Sequence, residues 1–143
     1  MRKLIVAGVL AALGAAMLAI PASASFDHHF SVLSKTTSQH REGNTFHFKD
    51  KLLDPQDRHN RVGGDRGRCT FKHQQEKVVC HAIARLNGEI GGNGHIAVSG
   101  DLAQHDHRLN VTGGTGDFNA VGGKLLIHSV NRRTDRLHFD LVR

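Results

Sequence analysis

The segment Thr45–Leu52 places one carboxyl group on an otherwise apolar strand face. Polar and apolar residues alternate along it, so Phe46, Phe48, Asp50 and Leu52 share one side of an extended chain. A carboxyl group buried on such a face has a raised pKa and can donate or accept a proton. Asp50 is therefore the candidate catalytic residue. The alternative is a structural Asp that is solvated or accepts hydrogen bonds from backbone amides.

Histidine is the other abundant residue type with chemical potential, and the chain has 12 of them. His105 and His107 would point to the same side of an extended segment, while His28 and His29 lie in the predicted N-terminal tail, before the first predicted strand. Zinc requires three or four ligands, and neither Cys-x-x-Cys nor His-x-x-x-His accompanies these pairs. We expect no dedicated metal site and no cofactor. A His-rich exterior that binds a metal ion or a partner remains the alternative.

Two glycine-rich segments, Gly91–Gly94 and Gly113–Gly116, resemble phosphate-binding loops only superficially. Both lack the Lys-Ser/Thr pair of a P-loop, and neither precedes a strong helix. Turns and bulges explain them better. The chain also has no nucleophile elbow with a Ser/His/Asp order. The sequence therefore favours neither nucleotide binding nor serine-hydrolase chemistry.

The first 24 residues have the three parts of an export signal. Arg2 and Lys3 are basic, Leu4–Ile20 is apolar and uncharged, and Ala22-Ser23-Ala24 follows Pro21 as a small-residue cleavage site. We predict a signal peptide helix over residues 1–24. The alternative is a membrane anchor, for which the apolar run is at the lower length limit and lacks a charged stop-transfer flank.

Cleavage after Ala24 would leave residues 25–143 as a single secreted domain, long enough to bury a core and without a further membrane span. Without Arg2 and Lys3, 17 basic residues remain against 13 acidic ones. These charges are interspersed, with no basic run and no aromatic residues among them, so nucleic acid is not an expected partner.

The pattern of the remaining residues predicts short strands separated by turns. The apolar pattern has a period of two, and no segment after Ile20 forms a convincing amphipathic helix. This pattern predicts an all-β sandwich or barrel. The eight predicted strands are Phe30–Thr36, Thr45–Leu52, Arg68–Lys72, Lys77–Leu86, Glu89–Ser99, His107–Thr112, Lys124–Val130 and Arg136–Val142.

The two cysteines, Cys69 and Cys80, are most simply a disulfide in an exported protein. If they face each other across a hairpin, Phe71 faces Val78 and the tip lies at Gln74-Gln75. Alternation then predicts one almost wholly apolar face, which points the bridge inward. A redox-active pair is the alternative, although the spacing is not Cys-x-x-Cys. The predicted inward face comprises Cys69, Phe71, Val78, Cys80, Ala82, Ala84 and Leu86.

Three sequence features, together with their order along the chain, resemble the allene oxide cyclase and dirigent superfamily, in its bacterial exported branch. Val111–Phe118 is similar to the family's V-x-G-G-T-G-x-F/Y segment and is followed by Gly123 and a strand. Phe46–Leu52 is similar to an aromatic strand that runs into His-Asp-x-Leu. Between them lie Gly63-Gly64, Gly67, a Cys-to-Cys hairpin and a Leu-Asn-Gly-Glu-Ile segment, so the resemblance covers most of residues 45–130.

The resemblance implies an eight-stranded antiparallel closed barrel, calycin-like, with an apolar central cavity for a small apolar or aromatic ligand. Asp50 stands where dirigent proteins have their Asp, and it is the residue that would carry cyclase or isomerase chemistry. Binding alone, as in a dirigent-like protein, is the other interpretation, and an oligomer is compatible with both. The predicted ligand-binding residues are Phe46, Phe48, Leu52, Phe71 and Phe118.

The sequence also departs from the family at informative positions. Gly122 stands in place of the dirigent Arg, Lys49 replaces the His beside the Asp, and the preceding aromatic is Phe48. The chain has no Tyr at all, so the phenol hydroxyls that some relatives use are missing. We therefore expect this chain to share the barrel fold of the family but not the complete mechanism of the plant dirigent proteins.

Overall fold

The computed structural model describes residues 27–102 and 107–143, which form eight antiparallel strands and two short 3-10 turns. Each strand pairs with its neighbour in the chain, and the first pairs with the last, so the sheet is a closed barrel. The expected fold is thereby confirmed. The strands are β1 Asp27–Glu42, β2 Thr45–Leu53, β3 Arg61–Lys72, β4 Lys77–Asn87, β5 Asn93–Leu102, β6 Arg108–Gly114, β7 Gly122–Asn131 and β8 Thr134–Val142.

Two elements of the expected pattern lie outside the described residues. These are the signal peptide over residues 1–24 and His105, one of the paired histidines. Within the described part of the chain, no helix is long and apolar enough to cross a membrane.

The third strand is longer than predicted. It begins at Arg61 and not at Arg68, so glycines that signal a turn in the sequence instead lie within a strand. Gly63 pairs with Leu52 on one side and with Leu86 on the other. A Cβ atom there would collide with the backbone carbonyl of Arg85. Gly63 therefore permits a close approach of β3 and β4, which is a strand role for glycine.

The hairpin of β3 and β4 has the predicted register. Cys69 pairs with Cys80 and Phe71 pairs with Val78, and the chain turns at His73–Gln75. Cys69 and Cys80 form a disulfide, with their Cα atoms 4.1 Å apart. The predicted bridge and its position on the inner face are confirmed by this register and by the 2% exposure of Cys80.

The two ends of the barrel differ in how they are filled. Fully buried side chains crowd the end where β1 begins and β2 ends. There Phe30 stacks on Phe139 with ring centroids 5.0 Å apart, and it also contacts Phe118 at 6.1 Å. The opposite half of the interior is hollow. Buried apolar residues of the filled end include Val32, Leu52, Val62, Leu86, Ile96, Val121 and Leu141.

Candidate functional site

The hollow half of the barrel is a cavity of about 390 Å³. This volume lies within the range of small-molecule sites, which are mostly apolar with a few polar groups. All eight strands contribute to the lining. Polar or sulfur-bearing side chains come from β1, β2, β3, β4, β7 and β8, whereas β5 and β6 contribute aliphatic ones. The apolar lining includes Phe46, Phe48, Ala82, Ala84, Val98, Leu102, Leu109, Leu125, Ile127, Leu137 and Phe139, together with both cysteines.

The polar groups of the cavity come mainly from neighbouring strands. Asp50 of β2 pairs with Asp65 of β3 on one side and with Thr36 of β1 on the other. Ser34 of β1 pairs with Asp135 of β8. All five line the cavity, because side chains two residues apart on a strand share a face. They form a polar arc across four adjacent strands of an otherwise apolar wall.

Asp50 and Asp65 are the acidic pair at one end of this arc. The Oδ2 atom of Asp50 accepts a hydrogen bond from Ser34 Oγ at 2.8 Å. The Oδ1 atoms of Asp50 and Asp65 are buried and have no hydrogen-bond partner among the described residues. Buried polar atoms are usually satisfied. A proton or a polar group of a bound molecule would satisfy them here.

Both carboxyl groups hold a proton more tightly than an exposed aspartate does. Burial, followed by the charge of Asp50 and a hydrogen bond with it, raises the pKa of Asp65 to about 7. Burial also raises the pKa of Asp50, while hydrogen bonds from Ser34 and Thr36 act in the opposite direction. Since two close carboxylates resist double ionisation, the pair shares a proton near neutral pH. Such a pair can act as an acid and as a base.

Phe48 forms part of the cavity wall because glycine faces it. Gly67 of β3 pairs with Phe48 of β2 and with Ala82 of β4. A Cβ atom on Gly67 would lie 2.6 Å from Phe48 Cζ and 2.7 Å from Ala82 Cβ. The absence of a side chain at Gly67 thus provides the space that the Phe48 ring occupies.

The predicted catalytic and ligand-binding residues separate into three groups. Phe46, Phe48 and Asp50 line the cavity. Leu52 and Phe118 are almost completely buried, but they pack in the filled end and not against the cavity. Phe71 is 40% exposed at the hairpin tip, where its ring meets His73 edge-on at 4.4 Å. Phe71 therefore has the predicted register partner, but its side chain is not buried in the barrel.

Asp65 is the functional candidate that the sequence analysis missed. The predicted third strand begins at Arg68, and the residue types of Gly63-Gly64-Asp65 are typical of a turn. Extending the alternation of Cys69 back by two steps places Gly67 and then Asp65 on the inner face, opposite Asp50. The alternation of residues therefore indicates that Asp65 faces inward, but the glycines beside it are typical of a turn and led to the other interpretation.

Comparisons with known proteins agree with this architecture. No family model matches the chain, and no curated protein matches it. A solved structure of pyocyanin demethylase is similar over 79% of this chain and 98% of its own, with 20% sequence identity and a TM-score of 0.62. A pterocarpan synthase dirigent protein is similar over 82% and 87%, with 12% identity and a TM-score of 0.62. The chain has the dirigent-like β-barrel fold, to which the resemblance to allene oxide cyclases and dirigent proteins pointed.

Proposed function

We propose that the protein binds a small aromatic molecule in the barrel cavity and catalyses its isomerisation or ring closure by proton transfer. The observation that carries the proposal is the Asp50–Asp65 pair, two facing carboxyl groups in an apolar cavity. An apolar wall holds a flexible molecule in one conformation, and the pair supplies the few polar atoms that chemistry requires.

The proton balance of such a reaction is simple. The protonated member of the pair, Asp65 by its raised pKa, donates a proton to an oxygen or carbon of the bound molecule. The pair then accepts a proton from another atom of the same molecule. No atom is gained or lost and no electron is transferred, so an isomer or a cyclised isomer is the product.

The printed names of the two similar structures guide the choice of ligand. Pyocyanin and pterocarpans are both small polycyclic aromatic compounds, and the two proteins have the same fold as this chain. The rings of Phe46 and Phe48, with Phe139 deeper in the cavity, provide aromatic surfaces against which a planar ring can pack. We therefore propose a planar aromatic ligand carrying a hydroxyl or keto group for the acid pair.

A direct titration tests this function. The chain has no Trp and no Tyr, so the fluorescence of an aromatic ligand can be followed with almost no protein background. Pyocyanin and a set of hydroxylated isoflavonoids would be titrated into the purified protein, and any bound compound would be assayed for isomerised product. We expect saturable binding, and we expect turnover to fall at least tenfold in Asp65→Asn. The proposal fails if none of these compounds binds, or if Asp65→Asn turns over at the wild-type rate.

We also propose that the protein acts outside the cell. The export signal predicted for residues 1–24 and the Cys69–Cys80 disulfide support this location, because structural disulfides persist in oxidising compartments. N-terminal sequencing of protein recovered from the exported fraction tests it. We expect a start at Ser25, and recovery of the chain only inside the cell with Met1 retained would contradict export.

A further inference from the structure

The outer face of the β1–β8 pair carries a cluster of metal-ligating side chains that is separate from the cavity. His29 of β1 pairs with Asp140 of β8, and His138 of β8 pairs with Ser31 of β1. One ligand atom from each of His29, His138 and Asp140 lies within 4.8 Å of the others. Their neighbours Phe30 and Phe139 point into the barrel, so these three side chains point outward.

The distances within the cluster are close to those of a metal centre. The Oδ1 atom of Asp140 is 2.7 Å from His29 Nδ1 and 3.0 Å from His138 Nε2. Ligand atoms around a tetrahedral zinc ion are about 3.3 Å apart, given bonds of about 2.0–2.2 Å. The two imidazole rings are parallel, with planes 3° apart. Shifts of about 1 Å in these partly exposed side chains would bring all three atoms around one ion.

The remaining nitrogen of each imidazole already has a partner. His29 Nε2 is 2.7 Å from an oxygen of Asp27, and Ser31 Oγ is 2.8 Å from His138 Nδ1. Histidines that bind metals almost always use their second ring nitrogen in this way, which fixes the ring and the tautomer. The carboxylate-histidine arrangement of Asp27 and His29 is thus a second observation, independent of the cluster itself, that favours a metal.

We propose that His29, His138 and Asp140 bind a divalent transition-metal ion of the zinc class, with solvent completing the coordination. Two imidazoles and one carboxylate suit zinc and copper(II), whereas magnesium and calcium prefer sites made of oxygen atoms. The ion would join the first strand of the barrel to the last. Its binding therefore stabilises the closure of the sheet, and it does so independently of any ligand in the cavity.

Zinc titration with site variants tests the proposal. Zinc chloride would be titrated calorimetrically into the purified wild-type protein and into His138→Ala and Asp140→Asn. His81→Ala is the matched control, since His81 is an exposed histidine on β4, away from β1 and β8. We expect one zinc site in the wild type and in His81→Ala, and at least a tenfold loss of affinity in the two site variants. Ser31→Ala is expected to weaken binding about tenfold or more without abolishing it.

Two further measurements keep the result decisive. Zinc should raise the Tm of the wild type and of His81→Ala but not that of Asp140→Asn, and magnesium should raise none of them. If a site variant does not fold, NMR of the wild type provides the test instead. Zinc should then shift the ring signals of His29 and His138. The proposal is overturned if the site variants bind zinc as tightly as the wild type. It is also overturned if zinc shifts other histidine signals and leaves these two unchanged.

Discussion

Asp50 on β2 and Asp65 on β3 are direct register partners whose side chains face the same cavity. Each carboxyl group has one buried oxygen with no hydrogen-bond partner among the described residues. Two such groups in an apolar wall are costly to keep charged, and natural proteins tend to keep such arrangements at functional sites. The proposed acid-base chemistry rests on this pair.

Stability should depend on pH through Asp65. Folding raises the pKa of this group from 3.8 to about 7, so the folded state binds the proton more tightly than the unfolded chain. The contribution is fully present below about pH 4 and is lost as the pH rises through 7. The free energy of unfolding should therefore fall by on the order of 2–4 kcal/mol over this range.

Urea unfolding at several pH values in wild type and Asp65→Asn measures this contribution. Asn is neutral throughout, so the variant should lack this pH dependence and should gain stability relative to wild type above pH 7. Taking the difference between the two proteins cancels the titration of the 12 histidines. Parallel pH profiles for the two proteins would contradict the assignment.

The two aspartates should also be coupled to each other. The charge of Asp50 and its hydrogen bond both raise the pKa of Asp65, so Asp50→Asn should lower that pKa while burial still keeps it above its ordinary value. Carbon-13 NMR of the Asp65 carboxyl carbon against pH measures the shift directly. Asp101→Asn, at an exposed position on β5, is the control and should leave the Asp65 titration unchanged. An identical Asp65 titration in wild type and Asp50→Asn would disprove the coupling.

Gly67→Ala should damage the cavity. The added methyl group would meet Phe48 Cζ, Ala82 Cβ and the backbone oxygen of His81 at 2.6–2.7 Å, so the Phe48 ring or the strand must move. We expect a loss of about 1–3 kcal/mol in unfolding free energy and weaker ligand binding. Gly122→Ala is the control, because its Cβ would meet only Val142 at 4.0 Å. Equal stability and affinity in the two variants would refute this role for Gly67.

Loss of the disulfide should lower stability without changing the fold. Cys69 and Cys80 are 11 residues apart in the chain, and closing a loop of that size contributes about 2–3 kcal/mol by restricting the unfolded state. The double variant with Ala at both positions should show that loss in urea unfolding while retaining its far-UV circular dichroism spectrum. A reducing agent should destabilise the wild type similarly and leave the double variant unaffected. Equal stability of wild type and double variant would show that the bridge contributes little.

Local periodicity explains how much of this structure the sequence could predict. Alternation in Thr45–Leu52 correctly placed Phe46, Phe48 and Asp50 on the inner face, and the hairpin register followed from Cys69 and Cys80. Alternation predicts which face of the sheet a side chain lies on, but not its position along the barrel axis. Leu52 therefore shares the face of Asp50 and yet lies in the filled end.

The features that the sequence did not reveal depend on contacts between distant segments. Asp65 follows two glycines that are typical of turns, and only the pairing of β3 with both neighbours shows that they belong to a strand. The outer cluster joins His29 to His138 and Asp140 across more than a hundred residues of chain. No spacing motif exists for such a set, because the closure of the barrel alone brings its members together.

Filling the cavity tests the central claim most directly. Ala84 lines the cavity beside Asp65, whereas Ala97 lies on the outer face of β5. Binding of an apolar fluorescent dye would be measured in wild type, Ala84→Leu and Ala97→Leu, with folding checked by circular dichroism. The account predicts saturable binding in wild type and Ala97→Leu, and at least tenfold weaker binding in folded Ala84→Leu. Wild-type affinity in Ala84→Leu, or no saturable binding by the wild type, would contradict it.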